Sequence, residues 1–548
     1  MRNNLLRRSS SPALRAEWIT LAVAGFLLVC CNVPFWSRLV AVRPLTAATW
    51  PGFVAGFAML LAGFNLLLTL LAWPYVLRPI LSLLLLATSL IAYFMNQYGV
   101  MIDVDMVRNA VETDRGELRD LLTFKMLLYV AGLGVLPIWL LWRMPIQWRP
   151  LARELLAKLL IIAGCVAVVL TLALGSYQTF ASVARNHRDL RLLLTPTNYL
   201  QAVSRYLKRR SQTPATFMPI GIDARLAPAW SQRRRKAVTV IVIGETARAD
   251  HFGLNGYARD TTPRLARQAG LINFTNMWSC GTETAVSLPC MFSNLGRDGF
   301  SQEQAQAQGN LLDVLRQAGL AVRWRDNQSG CKGVCARVPS EEVRDSRIAG
   351  VCPQSGDCFD AVLLAGLDQR IDTLDRSTVI VLHMMGSHGP AYFSRAPQAF
   401  KLFQPECRSV QLDRCSRQQI VNGYDNSLRY TDHVLSSLID LLRSKAGQVD
   451  TAMIYLSDHG ESLGEGNLYL HGTPYVFAPD AQKHVPALMW FSDGFERSFG
   501  IDHACLVARR HAAYSQDNLF HSVLGLLQVQ VKEYRSALDV FAPCRRVA

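Results

Sequence analysis

The sequence predicts a two-part chain: a membrane half of five apolar helices, then an α/β domain with a central, mostly parallel β-sheet flanked by helices. Three observations predict it. The first 175 residues hold five long apolar runs, residues from 237 onward alternate short strand-like runs with helical ones, and ten of the 13 cysteines fall after residue 279. At 548 residues, 50% hydrophobic and 18% charged, the chain exceeds one ordinary domain.

The apolar runs cover residues 17 to 36, 51 to 73, 79 to 99, 122 to 142 and 155 to 175. Each is near the ~20 residues that a membrane helix needs. Arg2, Arg7, Arg8 and Arg15 form a basic head before the first run, but no small-residue cleavage pattern follows, so it reads as a retained helix. Arg143, Arg149, Arg153 and Lys158 crowd the connection between the last two runs, which places that connection and the N-terminus on the cytoplasmic side. Five crossings then put everything after about residue 176 on the far side. The expected organisation is a transmembrane domain over 1–178, an interfacial helix and linker over 179–236, and an α/β domain over 237–548.

Cysteine usage agrees with that orientation. Cys30, Cys31 and Cys165 lie inside predicted spans. The spacings Cys280/Cys290, Cys331/Cys335, Cys352/Cys358 and Cys407/Cys415 suit loop-stapling disulfides in an oxidising compartment. A zinc site on Cys331 and Cys335 is the competing explanation, weakened by the lack of a matching second pair. Cys505 and Cys544 are left over and could pair.

A net charge of +15 does not make this a nucleic-acid binder. The basic runs "RYLKRR" (205 to 210) and "RRRK" (233 to 236) follow a membrane span, where anionic head groups attract them. Membrane lipids are the simpler partner. "NYLQAVSRYLKRR" reads as an amphipathic helix lying in the interface, and "SQTPATFMP" as extended linker.

Beyond the linker, "AVTVIVIGE", "LAVRWRD", "STVIVLHMMGSHG", "TAMIYLSDHG" and "HVPALMWFSD" are continuous apolar runs of the kind that forms fully buried strands. Between them, Val421, Tyr424, Leu428, Leu435, Leu438 and Leu442 recur at helical spacing. In such sheets ligands bind beyond the carboxyl ends of the strands. Glu245, His388, and Asp458 with His459 follow three of these runs at that end.

Carboxylate and imidazole ligands together suit zinc, whose catalytic sites keep a position open for the reacting group. Glu245, Asp458 and His459 supply three ligands, and the fourth is expected to be a nucleophile. The loop "SCGTETAVSLPCMFS" (279 to 293) offers hydroxyls that a cation or helix N-terminus could activate. Spacing alone leaves Thr284, Thr282 and Ser287 open.

"VIVIGETARADHFGLNGY", "SCGTETAVSLPCMFS", "RDNQSGCKGVC", "GSHGP", "SDHGESLGE" and "YLHGTPY" together resemble the motif set of the bacterial phosphoethanolamine transferases that modify lipid A, the group that includes the colistin-resistance enzymes. That group belongs to the alkaline phosphatase and sulfatase superfamily. The resemblance runs over the whole chain with the motifs in family order.

The resemblance implies an alkaline-phosphatase-like periplasmic domain, zinc as cofactor, and residence in the bacterial inner membrane. It implies that Glu245, Thr284, Asp458 and His459 bind the zinc, with Thr284 as the nucleophile. His388 and His471 match histidines that hold a second metal or the phosphoryl group, and Lys332 matches a basic residue lining the substrate site. In "MVRNAVETDRGEL", Asn109, Thr113 and Glu117 match positions that contact the lipid head group.

The implied reaction moves phosphoethanolamine from phosphatidylethanolamine to a phosphate of lipid A through a covalent Thr284 intermediate, lowering polymyxin affinity, and the chain is expected to act as a monomer. Glu283 departs from the pattern, standing where family members often carry a small polar residue. Rival readings are a related transferase with another acceptor, such as core sugar or periplasmic glucan, a phosphoglycerol transferase, a plain hydrolase, and a membrane-anchored zinc-binding sensor.

Overall fold

The computed structural model describes residues 13–113, 121–175, 187, 189–211, 216–353 and 357–546. The chain divides into a helical unit that ends at Ser211 and a sheet unit that follows it.

Among the described residues of the helical unit, four helices are long and apolar enough to cross a membrane: Trp50–Leu70, Leu77–Tyr98, Phe124–Arg143 and Leu151–Gly175. The run expected as the first span, 17 to 36, is instead a bent pair, Ala16–Cys30 and Val33–Val42, that meet at 58° and make a fifth crossing only if taken together. Pro34 has no N–H to continue the first helix. Asn32 then locks the break: its amide donates to Leu27 O at 2.9 Å and to Thr195 O at 2.7 Å, and its oxygen accepts from Thr195 N at 2.8 Å.

The span Phe124–Arg143 is also irregular, with a π-helical stretch at Val130–Val135 just before Pro137. The wider turn absorbs the bond that the proline cannot make. Gly134 lies against Ser89, whose hydroxyl would be 2.7 Å from an added Cβ, so the absence of a side chain lets these two helices close up.

Residues 179–236, expected to form an interfacial helix and a linker, are shared between the units. Thr197–Ser211 is a helix whose Tyr199 hydroxyl hydrogen-bonds Thr88 at 3.1 Å within the helical unit. Leu226 pairs with Val529, and Trp230 Nε1 donates to Leu527 O at 2.8 Å, within the sheet unit.

The sheet unit is built on eight strands: β1 Ala237–Gly244, β2 Leu271–Trp278, β3 Ala321–Asp326, β4 Ser340–Glu342, β5 Thr378–His383, β6 Asp450–Ser457, β7 His484–Phe491 and β8 Tyr514–Ser515. Their order is β8-β2-β7-β6-β1-β5-β3-β4. Only β7 runs against its neighbours, β2 and β6. All eight residues of β1 are buried, because the sheet is covered on both faces. Ile241 and Ile243 face a core shared with Met291, Phe292 and Phe520. Val238, Val240 and Val242 face another, closed by Leu435, Leu438 and Leu442.

Those leucines belong to the helix Arg417–Lys445, which starts at a capping box between Ser416 and Gln419. Strand β2 escaped the sequence reading because it alternates buried and half-exposed residues, unlike the continuous runs elsewhere.

All ten cysteines of the sheet unit are bonded, Cys280 to Cys290, Cys331 to Cys335, Cys352 to Cys358, Cys407 to Cys415 and Cys505 to Cys544. A disulfide between Cys331 and Cys335 leaves no thiolate pair there to hold zinc.

Candidate metal centre and active site

β1 and β6 run side by side in parallel, with Gly244 opposite Ser457. The residues that follow therefore leave the sheet at one place: Glu245 after β1, Asp458 and His459 after β6. Main-chain bonds hold them there. Asp458 N donates to Gly244 O at 2.9 Å, and Ser387 N, from the loop after β5, donates to Glu245 O at 3.0 Å.

Thr284 opens the helix Thr284–Met291, with Glu283 as its N-cap. The Cys280–Cys290 disulfide staples the loop before this helix to its last turn. Thr284 Oγ1 lies 3.3 and 3.1 Å from the two Glu245 carboxylate oxygens and 3.4 Å from His459 Nε2. His459 Nε2 is in turn 3.4 Å from Glu245 Oε1 and 3.3 Å from Asp458 Oδ2. Ligand atoms of Glu245, Asp458 and His459 all fall within 4.8 Å of one another. All four residues are buried.

The donor chemistry fits a divalent cation. His459 Nδ1 faces the Gly460 carbonyl at 2.8 Å, which keeps the ring proton on that nitrogen and aims the Nε2 lone pair at the carboxylates. Asp458 Oδ2 is buried without a hydrogen-bond donor. Lone pairs thus converge on lone pairs, an arrangement that a shared cation relieves. Protonation equilibria point the same way. Burial, and then the Asp458 carboxylate, push Glu245 well above the usual carboxylate range. Burial holds the His459 imidazole neutral, down at about 4, against the pull of Asp458.

Two further histidines lie beside this cluster. The His471 ring centre lies 4.4 Å from that of His459 and 5.4 Å from that of His388. Burial works against a charge on His471, but Glu461, whose carboxylate lies 3.1 Å from its Nδ1, together with Glu245 and Asp458 raises it to about 9. His388 is driven well below its ordinary value by burial, then by His471 and Arg395. Lys332 sits in the loop closed by Cys331 and Cys335, with Nζ 3.4 Å from Ser329 O and 3.3 Å from its hydroxyl.

Asn109 and Thr113 belong to the helical unit, where Thr113 Oγ1 donates to Asn109 O at 2.7 Å at the end of the helix Val104–Glu112. Glu117 lies outside the described residues. Thr282, an alternative nucleophile, instead donates to Thr473 O at 2.7 Å, and Ser287 lies one turn into the helix.

Sequence reasoning missed Gln328, which donates to Glu245 Oε2 at 2.8 Å, and Glu461, the partner of His471. Both stand inside the motifs quoted above, but a lone glutamine or glutamate carries no signal until a ligand is seen beside it.

This sheet and ligand cluster place the second half among the sulfatases: residues 237–529 match the sulfatase family model. Residues 60–211 match the model for phosphoethanolamine transferase EptA/EptB. The chain is 38% identical to phosphoethanolamine transferase EptA of Escherichia coli K12, over the full length of both chains. It is also 38% identical to phosphatidylethanolamine transferase Mcr-1 of Escherichia coli, covering 88% of this chain and 90% of that one. The structure resembles the integral membrane lipooligosaccharide phosphoethanolamine transferase EptA of Neisseria meningitidis, with a TM-score of 0.93 and 34% identity over 98% of this chain and 100% of the other. The chain belongs to the phosphoethanolamine transferase family and is a multi-pass membrane protein.

Proposed function

We propose that this protein, in the inner membrane with its sheet unit in the periplasm, transfers phosphoethanolamine from phosphatidylethanolamine to a phosphate of lipid A by way of Thr284. The observation that carries the reading is the buried Thr284 hydroxyl, set at a helix N-terminus within 3.4 Å of both Glu245 and His459. Zinc suits this oxygen and nitrogen donor set of Glu245, Asp458, His459 and Thr284, and when bound it supplies the positive charge that makes the alcohol nucleophilic.

Thr284 Oγ1 attacks the phosphorus of phosphatidylethanolamine, and the bond from phosphorus to the diacylglycerol oxygen breaks. The hydroxyl proton leaves toward the Glu245 carboxylate, to which Thr284 already donates, and ends on the departing diacylglycerol. An oxygen of the acceptor phosphate then attacks the same phosphorus, the bond from phosphorus to Thr284 Oγ1 breaks, and the proton of the acceptor phosphate passes by way of Glu245 back to Thr284 Oγ1. The N-terminus of the helix Thr284–Met291 favours the negative charge that gathers there. His471, kept protonated by Glu461, and Lys332 offer positive charge to the phosphoryl oxygens. Asn109, Thr113 and Glu117 are the residues we assign to recognition of the ethanolamine head group. Donor and acceptor are both lipids, so anchoring the enzyme in the membrane raises their local concentration. Adding a cationic group to lipid A lowers its affinity for polymyxin.

Incubation with phosphatidylethanolamine alone should add one phosphoethanolamine to the peptide containing Thr284, read by mass spectrometry. Thr284→Ala should abolish both this adduct and transfer to lipid A while keeping the fold. Transfer that persists in Thr284→Ala would sink the covalent route. Unchanged lipid A alongside modified core sugar would instead move the acceptor.

A further inference from the structure

The nucleophile and the metal ligands come from strands that are not neighbours. Thr284 lies in the loop and helix after β2, whereas Asp458 and His459 follow β6, and β7 stands between the two strands. Two strand spacings, about 10 Å, separate β2 from β6, and no main-chain ladder joins them directly. Main-chain bonds from the segment before β7 tie the two ends indirectly, Ser279 N to Lys483 O at 2.8 Å and Gly460 N to Gln482 O at 3.0 Å, but a shared ion demands that their separation be set to a few tenths of an ångström.

One side chain spans the gap. Gln516 follows β8 and is completely buried. Its own N–H donates to Trp278 O, at the end of β2, at 2.8 Å. Its side-chain oxygen accepts from Cys280 N at 2.7 Å, in the nucleophile loop. Its Nε2 donates to Ser457 O at 2.8 Å and to Asp458 O at 2.6 Å, at the end of β6. One acceptor site and both N–H groups are therefore in use, and because the partners are one backbone N–H and two carbonyls, the amide can stand only one way round.

The Cys280 peptide is gripped from its other side too. Arg297 NH1 donates to Cys280 O at 2.6 Å, while Arg297 N donates to Asp517 Oδ1, the residue next to Gln516, at 2.9 Å. The connections close a ring: Gln516, Cys280, Arg297, Asp517 and back to Gln516. Thr284 hangs from one side of this ring and the Asp458 carboxylate from the other.

We infer that Gln516 is a positioning residue, an amide clamp that sets the separation between the Thr284 hydroxyl and the Asp458–His459 ligand pair. The inference rests on the transferase reading. The side-chain bonds of the clamp all run to main-chain groups of Cys280, Ser457 and Asp458, so its loss acts on metal binding and on the chemical step, not on substrate binding.

The test uses the full-length protein in lipid nanodiscs with phosphatidylethanolamine and lipid A, comparing wild type, Gln516→Leu and Gln516→Asn. Leucine keeps the volume and removes all three bonds; asparagine keeps the amide but falls one methylene short. Both variants should lower kcat by about 10- to 100-fold and weaken zinc binding, measured by competition with a chromophoric chelator, by about the same factor. KM for phosphatidylethanolamine should stay unchanged.

A folded Gln516→Leu protein with wild-type kcat and zinc affinity overturns the inference. So does a fall in kcat that follows a lowered melting temperature while zinc affinity holds, because that is a merely structural role. If Gln516→Leu does not fold, Gln516→Asn decides, and failure of both to fold assigns Gln516 to folding and also overturns the inference. Should wild type itself transfer nothing, the transferase reading fails, while the zinc arm still reports on the clamp.

Discussion

Gly386 offers a sharp perturbation of the metal centre from a residue that is not a ligand. It lies in the loop after β5 with φ of +53°, and its N–H donates to Asp360 Oδ2 at 2.8 Å. A Cβ added there would sit 2.6 Å from Glu245 O and 2.9 Å from both Glu245 N and Glu245 Cβ. Ordinary contact begins at 3.4 Å, so in Gly386→Ala the two segments must part by about 0.8 Å, the difference between 3.4 and 2.6. Left-handed backbone costs alanine about 1–2 kcal/mol. Overpacking in a close-packed core adds about 1–3 kcal/mol, for a total of about 2–5 kcal/mol.

Either the loop lifts off Asp360 or Glu245 moves away from its partner ligands. Gly366→Ala is the control, since φ there is +68° with nothing within 4 Å of the added Cβ, so only the backbone cost applies. Thermal unfolding and zinc titration of both variants separate the two costs. Gly386→Ala should melt lower than Gly366→Ala and bind zinc more weakly. Equal melting and equal zinc affinity in the two variants would falsify the claim that the β5 loop presses on the Glu245 main chain.

Three more outcomes follow from the same geometry. Burial works against the Asp326 carboxylate, but His383, at 3.1 Å, with Trp324 and Gln328 outweighs it and holds the group at about 2, below its usual 3.8. A depressed carboxyl stabilises the fold above its unfolded value and loses that contribution as pH falls through its folded value; here about 2 kcal/mol should vanish between pH 4 and 2. Denaturant titrations should show Asp326→Asn lacking that part of the acid slope, and parallel slopes would refute it. Replacing Cys505 and Cys544 with serine opens a loop whose ends lie 39 residues apart, and denaturant unfolding should register a loss of about 4 kcal/mol. Chelation should lower the melting temperature reversibly, since free ion a thousandfold above its dissociation constant stabilises by about 4 kcal/mol. Identical melting with and without chelator would argue against a metal held at Glu245, Asp458 and His459.

What was legible in the sequence was what depends on neighbours along the chain. Run length disclosed Trp50–Leu70, Leu77–Tyr98 and Leu151–Gly175, because crossing a bilayer is a matter of rise per residue. Continuous apolar runs disclosed β1, β3, β5, β6 and β7, because strands buried on both faces have no polar face to interrupt them. The end of a run also marked where Glu245, Asp458 and His459 leave the sheet.

Tertiary structure decided whatever depends on partners far apart. The bend in the first span requires Thr195, 163 residues beyond Asn32, to share its backbone groups with that side chain. The pairing of Cys505 with Cys544 depends on where Asp502–Cys505 and the C-terminal segment meet in space. Thr284 stands apart from Thr282 only because one hydroxyl points at Glu245 and the other at Thr473. Gln516 gains meaning only once β8 is laid beside β2, with its amide reaching across to β6. Local pattern is set by the sterics and solvation of adjacent residues, whereas a site shared by segments more than two hundred residues apart exists only when the packed sheet brings them within hydrogen-bonding distance.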